Sequence, residues 1–251
     1  MAKGRAKLAM GRGISVWVLE APHGFGDAQF HAHHAIQLTC SLSGRLMLES
    51  EGCRHDSRLL AVDADASHRF EAEGLLAFVF VEPESRQGRA LRERLFIGDR
   101  LVELTEPVAA EMLAPLAATF DRDLPPSDLL RAGQMLVERL AGSEPERAPD
   151  PRIERIIAFA NANLDRPLTL STASHGVYLS PSRLRHLFVE QTGLAFKTYL
   201  LWLRLVRALE IYAGGQSLTA AAHAAGFSDS AHFSRIFKRT FGLPATTLTR
   251  L

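Results

Sequence analysis

A chain of 251 residues with 47% hydrophobic and 23% charged side chains has room for one large domain or two modest ones. This composition excludes a disordered tail, a collagen-like chain and a disulfide-stapled miniprotein, and no apolar run reaches the length of about 18 residues that a membrane helix needs. The net charge of +1 conceals a division: 17 Lys+Arg stand against 23 Asp+Glu up to residue 151, and 12 against 5 beyond it. The N-terminus is basic but lacks the apolar stretch of a secretory signal, and Cys40 and Cys53 are too few for a disulfide framework. A cytoplasmic protein with no membrane partner is expected, and both cysteines read as ordinary ones.

In chain order, short apolar or alternating runs at 14–19, 35–41, 45–49 and 75–81, broken by turn residues, predict an antiparallel β domain, a sandwich or barrel. Within it lies the cluster His31-Ala-His33-His34. A strand over 30–38 would put His31, His33 and Gln37 on one face and His34 on the other. His68 follows a turn at 63–67. Three imidazoles with an oxygen donor from Gln37 can hold a divalent transition metal such as Zn²⁺, Ni²⁺, Cu²⁺ or Fe²⁺; equally, they can be polar wall residues of a small-molecule pocket.

Between 106 and 140 the pattern changes to two amphipathic helices separated by residues 123–127. Leu129, Leu130, Gly133, Leu136, Val137 and Leu140 form the stripe of the second helix. The pair packs on the β domain or makes a dimer, and one helix can do both. Residues 141–151, polar and with three prolines, read as a linker.

The basic part that follows suits a polyanion partner. Ile153, Ile156, Ile157 and Ala160 predict a helix, and then the chain repeats itself at an offset of 49 residues. Ser180-Pro-Ser-Arg-Leu-Arg-His-Leu-Phe188 lies over Asp229-Ser-Ala-His-Phe-Ser-Arg-Ile-Phe237, Tyr178 over Phe227, and Gly193 over Gly242. Ser180 and Asp229 are good N-caps, and Pro181 suits a first helical turn. Each unit is a short helix, a tight turn and a second helix, the layout in which the second helix enters the DNA major groove. Leu184, Leu187 and Phe188, and in the other copy Phe233, Ile236 and Phe237, mark the core faces. The outward faces carry Ser182, Arg183, Arg185 and His186, then Ser230, Ala231, His232, Ser234 and Arg235, types able to read base edges.

A continuous helix over 196–213 joins the units. At 1.5 Å per residue it spans roughly 27 Å, which allows two reading helices about one DNA turn, roughly 34 Å, apart. Lys197, Arg204, Arg207, Lys238 and Arg239 are candidates for phosphate contacts.

The stretch Ala225-Gly-Phe-Ser-Asp-Ser-Ala-His-Phe-Ser-Arg-Ile-Phe-Lys-Arg-Thr-Phe-Gly242 resembles the GF-x-D-x-x-x-F-x-R-x-F-K-x-x-x-G pattern of the AraC/XylS family of bacterial transcription regulators. Ser180 to Phe188 is similar to the family's first-unit pattern S-x-x-x-L-x-x-x-F, and Leu203-Arg204-Leu205 stands where its linker helix has R-L. The resemblance covers about 100 residues. Pro244 falls one place early and His175-Gly176 makes the first unit less regular. The resemblance implies base contacts from Ser182, Arg185, His186, Ser230, Ala231, Ser234 and Arg235.

Many such regulators carry a cupin barrel ahead of the DNA-binding part. His31, His33, Gln37 and Gly44 stand at the spacing of the cupin H-x-H-x(3,4)-E-x(6)-G, with Gln for the glutamate; of P-x-G-x-x-H only His68 is kept, with Asp63 and Asp65 at the other two places. The resemblance thus implies a two-domain α+β chain. Residues 1–141 would be a cupin-like antiparallel β-barrel with two following helices, binding an effector or metal at His31, His33, Gln37 and His68. Residues 142–151 would be the linker, and 152–251 an all-α domain with two helix-turn-helix units joined by a linker helix. The implied partners are double-stranded DNA, a small-molecule effector, a second copy of the chain in a homodimer, and RNA polymerase if the protein is an activator. The rival reading is a metal-dependent cupin enzyme, an isomerase or dioxygenase, with a helical appendage; against it, neither the glutamate ligand nor a general acid or base stands beside the histidines. The protein is therefore expected not to be an enzyme.

Overall fold

The computed structural model describes residues 6–26, 29–104, 108–142 and 148–248. Seven strands come first: β1 (Ala6–Gly11), β2 (Ile14–Gly26), β3 (Ile36–Ser50), β4 (Cys53–Asp56), β5 (Leu59–Val62), β6 (His68–Val81) and, after helix α1 (Arg86–Leu95), β7 (Leu101–Glu103). Helices α2 (Val108–Asp121) and α3 (Pro126–Ala141) follow. Beyond residue 148 every described element is helical: α4 (Pro151–Ala162), α5 (Leu170–Ala173), α6 (Pro181–Thr192), α7 (Phe196–Ala213), α8 (Leu218–Ala224), α9 (Ser230–Phe241) and a 3₁₀ turn at Ala245–Thr247. Two compact units emerge, one of residues 1–146 together with 237–251, the other of 147–236.

In the first unit the strands pair in the order β1-β2-β6-β3-β5-β7, with β4 beside β3 and every pairing antiparallel. Among the described residues no pairing joins β7 to β1; the sheet is antiparallel as expected, and barrel closure is not seen among them. Strand alternation gives the sheet two faces. Val16, Val18, Ile36, Leu38, Cys40, Leu59, Ala61, Ala77 and Val79 meet α1, α2 and α3 in one apolar core. The other, inner face presents Trp17, Gln37, Thr39, Phe78 and Phe80, all buried.

The runs at 35–41 and 45–49, expected as two strands, are one. A bulge at Ser41/Ser43 bends β3, and Gly44 continues the pairing opposite Gly74. Both glycines are left-handed (φ 86° and 102°), and a Cβ on Gly44 would run into the Glu73 carbonyl, so the chain bends here without ending its ladder. The strand expected over 30–38 is likewise corrected: it begins only at Ile36, and His31 makes an isolated bridge to His68. The alternation of side chains survives in the extended loop.

The two helices expected between 106 and 140 are α2 and α3; residues 105–107 lie outside those described. Leu129, Gly133, Leu136, Val137 and Leu140 are buried, and α3 packs on β1, β2, α1 and α2. Gly133 is required by this packing, because a Cβ there would overlap Val16 Cγ2. The stripe that the sequence left between packing and dimerisation is therefore spent inside the unit. Helix α1 has no counterpart in the sequence reading. It buries only Gly88, Ala90 and Leu91 and otherwise carries charge, a stripe too narrow to stand out.

Candidate nucleic-acid interface and histidine site

Each helical unit is built from local signals that the chain carries twice. In the first, Thr169 and Thr172 form a reciprocal capping box that starts α5, and Gly176 turns the chain at φ 80°. Ser180 then caps α6, its hydroxyl accepting from the Arg183 N–H at 3.3 Å, and Gly193 ends the helix in the left-handed conformation. In the second, Ser217 caps α8, Gly226 makes the turn at φ 84°, and the Asp229 carboxylate accepts from the His232 N–H at 2.6 Å to start α9. That hydrogen bond, with another from the Ser228 hydroxyl, holds the Asp229 carboxyl below its ordinary pKa.

Both second helices bury one face and display the other. Leu184 and Phe188 are buried, Phe188 edge-on to Phe196 at 5.3 Å and to Tyr199 at 5.4 Å, while Ser182, Arg183, Arg185 and His186 are exposed. In α9, Phe233 is buried edge-on to Phe227 at 5.3 Å, while Ser230, Ala231, Ser234 and Arg235 are exposed. His232 leaves the displayed set: it is half-buried against Phe227, with ring centroids 5.4 Å apart. The repeat is broken at one place, for Phe227 is 4% exposed and its counterpart Tyr178 is 97% exposed. The helix expected over 196–213 is α7 to the residue.

The basic residues divide by environment. Lys197, Lys238, Arg239 and Arg207 are exposed, Arg207 beside Glu210 at 3.1 Å. Arg204 is half-buried, and its Nε has no hydrogen-bond partner among the described residues. A Cβ added at Gly226 would lie 3.3 Å from that nitrogen, so the linker-helix arginine sits directly under the turn of the second unit.

On the inner face of the sheet, His31, His33 and His68 bring one ring nitrogen each within 4.8 Å of one another. The backbones of His31 and His68 hold each other through two N–H···O bonds of 2.9 Å. Two of the rings are turned by carbonyls: His33 Nδ1 lies 2.9 Å from the Ala35 oxygen and His68 Nδ1 2.9 Å from the Ala66 oxygen. Because a carbonyl only accepts, Nδ1 of His68 carries the proton and its Nε2 presents a lone pair. His33 has an oxygen acceptor at each ring nitrogen, Ala35 O at Nδ1 and Gln37 Oε1 at Nε2, and its neutral ring donates to one of them. Burial, aided by the neighbouring imidazoles, lowers the pKa of His33 to about 4 and takes His68 well below its ordinary value, so both rings are neutral. Gln37 lies at the edge of the cluster, its Oε1 2.9 Å from His33 Nε2 and its Nε2 donating to the Thr39 hydroxyl at 2.7 Å. His34 points the other way, to Glu84 at 2.9 Å.

Neutral imidazoles whose far nitrogens donate to backbone carbonyls are the arrangement that orients histidines for a metal ion. His68 Nε2 is fully buried and has no hydrogen-bond partner among the described residues, a cost that a ligand on that nitrogen removes. The donor set therefore fits a divalent transition ion, with His31, His33 and His68 as nitrogen ligands. The neighbouring turn also suits the site: Asp65, standing where the cupin pattern has glycine, takes the left-handed conformation at φ 60° and donates its N–H to the His33 carbonyl at 2.8 Å. Asp63 is held by Arg92 at 2.9 Å. Cys40 lies in the apolar core on the sheet's other face, where burial pushes its thiol pKa up, and Cys53 is exposed.

Residues 174–250 match the helix-turn-helix domain family. The transcriptional regulator GbdR of Pseudomonas aeruginosa is 32% identical over 95 residues, 38% of this chain and 26% of its own length. The regulatory protein Ada of Salmonella typhimurium is 27% identical over 189 residues, 75% of this chain and 46% of its own length. The chain thus spans between a quarter and a half of these relatives, both of which are named as regulators. Among solved structures, ToxT of Vibrio cholerae superposes with a TM-score of 0.61 at 12% identity, covering 95% of this chain and 97% of that one, a likeness of fold. No described helix is long and apolar enough to cross a membrane.

Proposed function

We propose that this chain, which carries an AraC-type helix-turn-helix domain in its C-terminal part, is a sequence-specific transcription regulator controlled by an effector bound in its N-terminal β domain. The observation that carries the reading is the pair of capped helices α6 and α9, each with its aromatic face buried and its polar face exposed, in a region that holds 12 basic against 5 acidic residues. Ser182, Arg185 and His186 would read one major groove, and Ser230, Ala231, Ser234 and Arg235 the next. Lys197, Arg207, Lys238 and Arg239 would hold phosphates. The half-buried setting of Arg204 supports a different part for it, holding the second turn against α7. Such a protein works on the chromosome, in the cytoplasm, as a homodimer where promoters present two sites, and through RNA polymerase if it activates.

The effector site is the inner face of the sheet, and its histidines support a divalent transition metal as the effector or part of it. Bound there, the metal would supply a charged centre whose coordination ties the His31–His33 loop to β6. The relatives, being regulators, favour this over a cupin enzyme. Selection from a random-sequence DNA pool with the purified chain tests the reading: enrichment of one sequence supports it, and an unenriched pool refutes it. Titration of Zn²⁺ or Ni²⁺ into metal-free protein tests the effector assignment, because an ion that binds only the folded state raises the melting temperature by mass action.

A further inference from the structure

The aromatic half of the inner face already has an occupant. Trp17 and Phe80 lie with ring centroids 4.8 Å apart, and Phe241, the last residue of α9, packs on both, at 4.9 Å from Trp17 and 5.3 Å from Phe80. Phe241 also comes within 6.0 Å of His33, and Phe237 stacks on Trp17 at 6.1 Å with the planes 7° from parallel. All four of the residues Trp17, Phe80, Phe237 and Phe241 are buried. The indole N–H of Trp17 and Nε2 of His68 are buried on this face without a hydrogen-bond partner among the described residues. A phenyl ring offers the indole N–H at most a weak π acceptor and offers the histidine nitrogen no N–H or O–H donor. The site therefore holds an apolar ring where its walls offer, besides apolar surface, a donor from tryptophan and a lone pair from histidine.

We propose that Phe241 is a resident plug of the effector site, and that the organic part of the effector, beside any metal ion on the histidines, is a small molecule with a flat apolar body and an acceptor oxygen, which displaces Phe241 from Trp17, Phe80 and His33. The body replaces the phenyl ring, and the oxygen accepts from the Trp17 N–H. The proposal rests on the reading of the β domain as the effector-binding part, and supplies the step by which occupancy is felt elsewhere. Phe241 closes the helix whose first turns carry Ser230, Ala231, Ser234 and Arg235, so an effector that takes its place releases the end of that helix. The effector's differential affinity for the plugged and unplugged states is the coupling free energy.

The plug competes with any ligand, so apparent affinity falls by the fraction of time the site stands open. The test uses the full chain and the probe 1-anilinonaphthalene-8-sulfonate, a flat ring system with acceptor oxygens, read by its fluorescence. For a plug seated about nine-tenths of the time, Phe241→Ala binds the probe about tenfold more tightly than the parent. Trp17→Phe in the Phe241→Ala background gives most of that gain back. A cooperative melt of the variants distinguishes this from the loose apolar surface of a molten state. Phe241→Leu serves where Phe241→Ala fails to melt cooperatively. In otherwise unaltered protein, Phe241→4-fluorophenylalanine gives a ¹⁹F resonance that the probe shifts. The proposal is overturned if the variant that retains its melt shows no gain, if the gain survives Trp17→Phe intact, or if the probe binds and the ¹⁹F resonance stays still. A chain that enriches no DNA sequence would refute the regulator reading instead, whatever the probe does.

Discussion

Arg235→Ala separates base reading from simple charge attraction. In α9 the buried residues Phe233 and Phe237 are four apart, and so are the exposed residues Ala231 and Arg235 on the opposite side. At 1.5 Å per residue these two lie about 6 Å apart along the helix axis, close to two base-pair steps of about 3.4 Å. On the proposed reading Arg235 would donate two hydrogen bonds to one guanine, a contact worth about 1–3 kcal/mol of discrimination, or roughly 5–150-fold in affinity. Arg207, on the exposed side of α7, is the control, since a phosphate contact weakens all sequences alike and its loss lowers the salt slope by about 0.9. Fluorescence anisotropy on the selected operator, and on operators altered one base pair at a time, measures both. Arg235→Ala should lose affinity on the parent operator and become indifferent to one base pair, with the salt slope nearly unchanged. Equal loss on every operator, with a slope reduced by about one, would show Arg235 on a phosphate and refute the assignment.

Three further outcomes follow from the geometry. His68→Ala removes a lone pair that the Ala66 carbonyl orients, so the rise in melting temperature on adding Zn²⁺ should vanish; a rise equal to the parent's would place the ion elsewhere. Gly133→Ala gains about 1 kcal/mol of helix propensity and loses about 1–3 kcal/mol to overlap with Val16, a net destabilisation in urea melts that Val16→Ala should relieve; an equal effect in both backgrounds would mean that the two residues are not coupled. At the start of α4 the Asp150 carboxylate accepts from the Arg152 guanidinium at 2.6 and 2.9 Å, which lowers its pKa to about 2. A depressed carboxylate stabilises the folded state fully above its unfolded pKa, and this contribution fades as pH falls through the folded value, so it should be lost between about pH 4 and pH 2. Chemical denaturation across that window should show a step that Asp150→Ala lacks, and an unchanged step would assign the acid sensitivity to other groups.

The helical part was legible because its signals are local. Ser180, Pro181 and Gly193 bound α6, Asp229 starts α9, and an unbroken apolar stripe marks α7. The β part was legible as a class but not in its joints. Gly44 reads as a turn residue, yet paired with Gly74 it bends a strand that continues; this depends on a partner 30 residues away. The histidines could be gathered from spacing alone, since His31 and His33 fall on one side of an extended chain whether or not it pairs. Their readiness to bind could not, because it comes from the carbonyls of Ala35 and Ala66, which any residue type would supply. The place of Phe241 against Trp17 joins positions more than 200 residues apart and leaves no periodic trace. Arg204 looked like one more surface cation, and only the closeness of Gly226 reveals it under the turn.

The central claim is that one chain reads DNA with two helices. Methylation interference on the selected operator tests it most directly, because a methyl on guanine N7 blocks the atom that a major-groove arginine contacts. Two clusters of interference for each bound chain, centred about 10–10.5 base pairs apart, are expected, with Arg185→Ala erasing one and Arg235→Ala the other. A single cluster for each chain, or two clusters indifferent to both substitutions, would contradict the account.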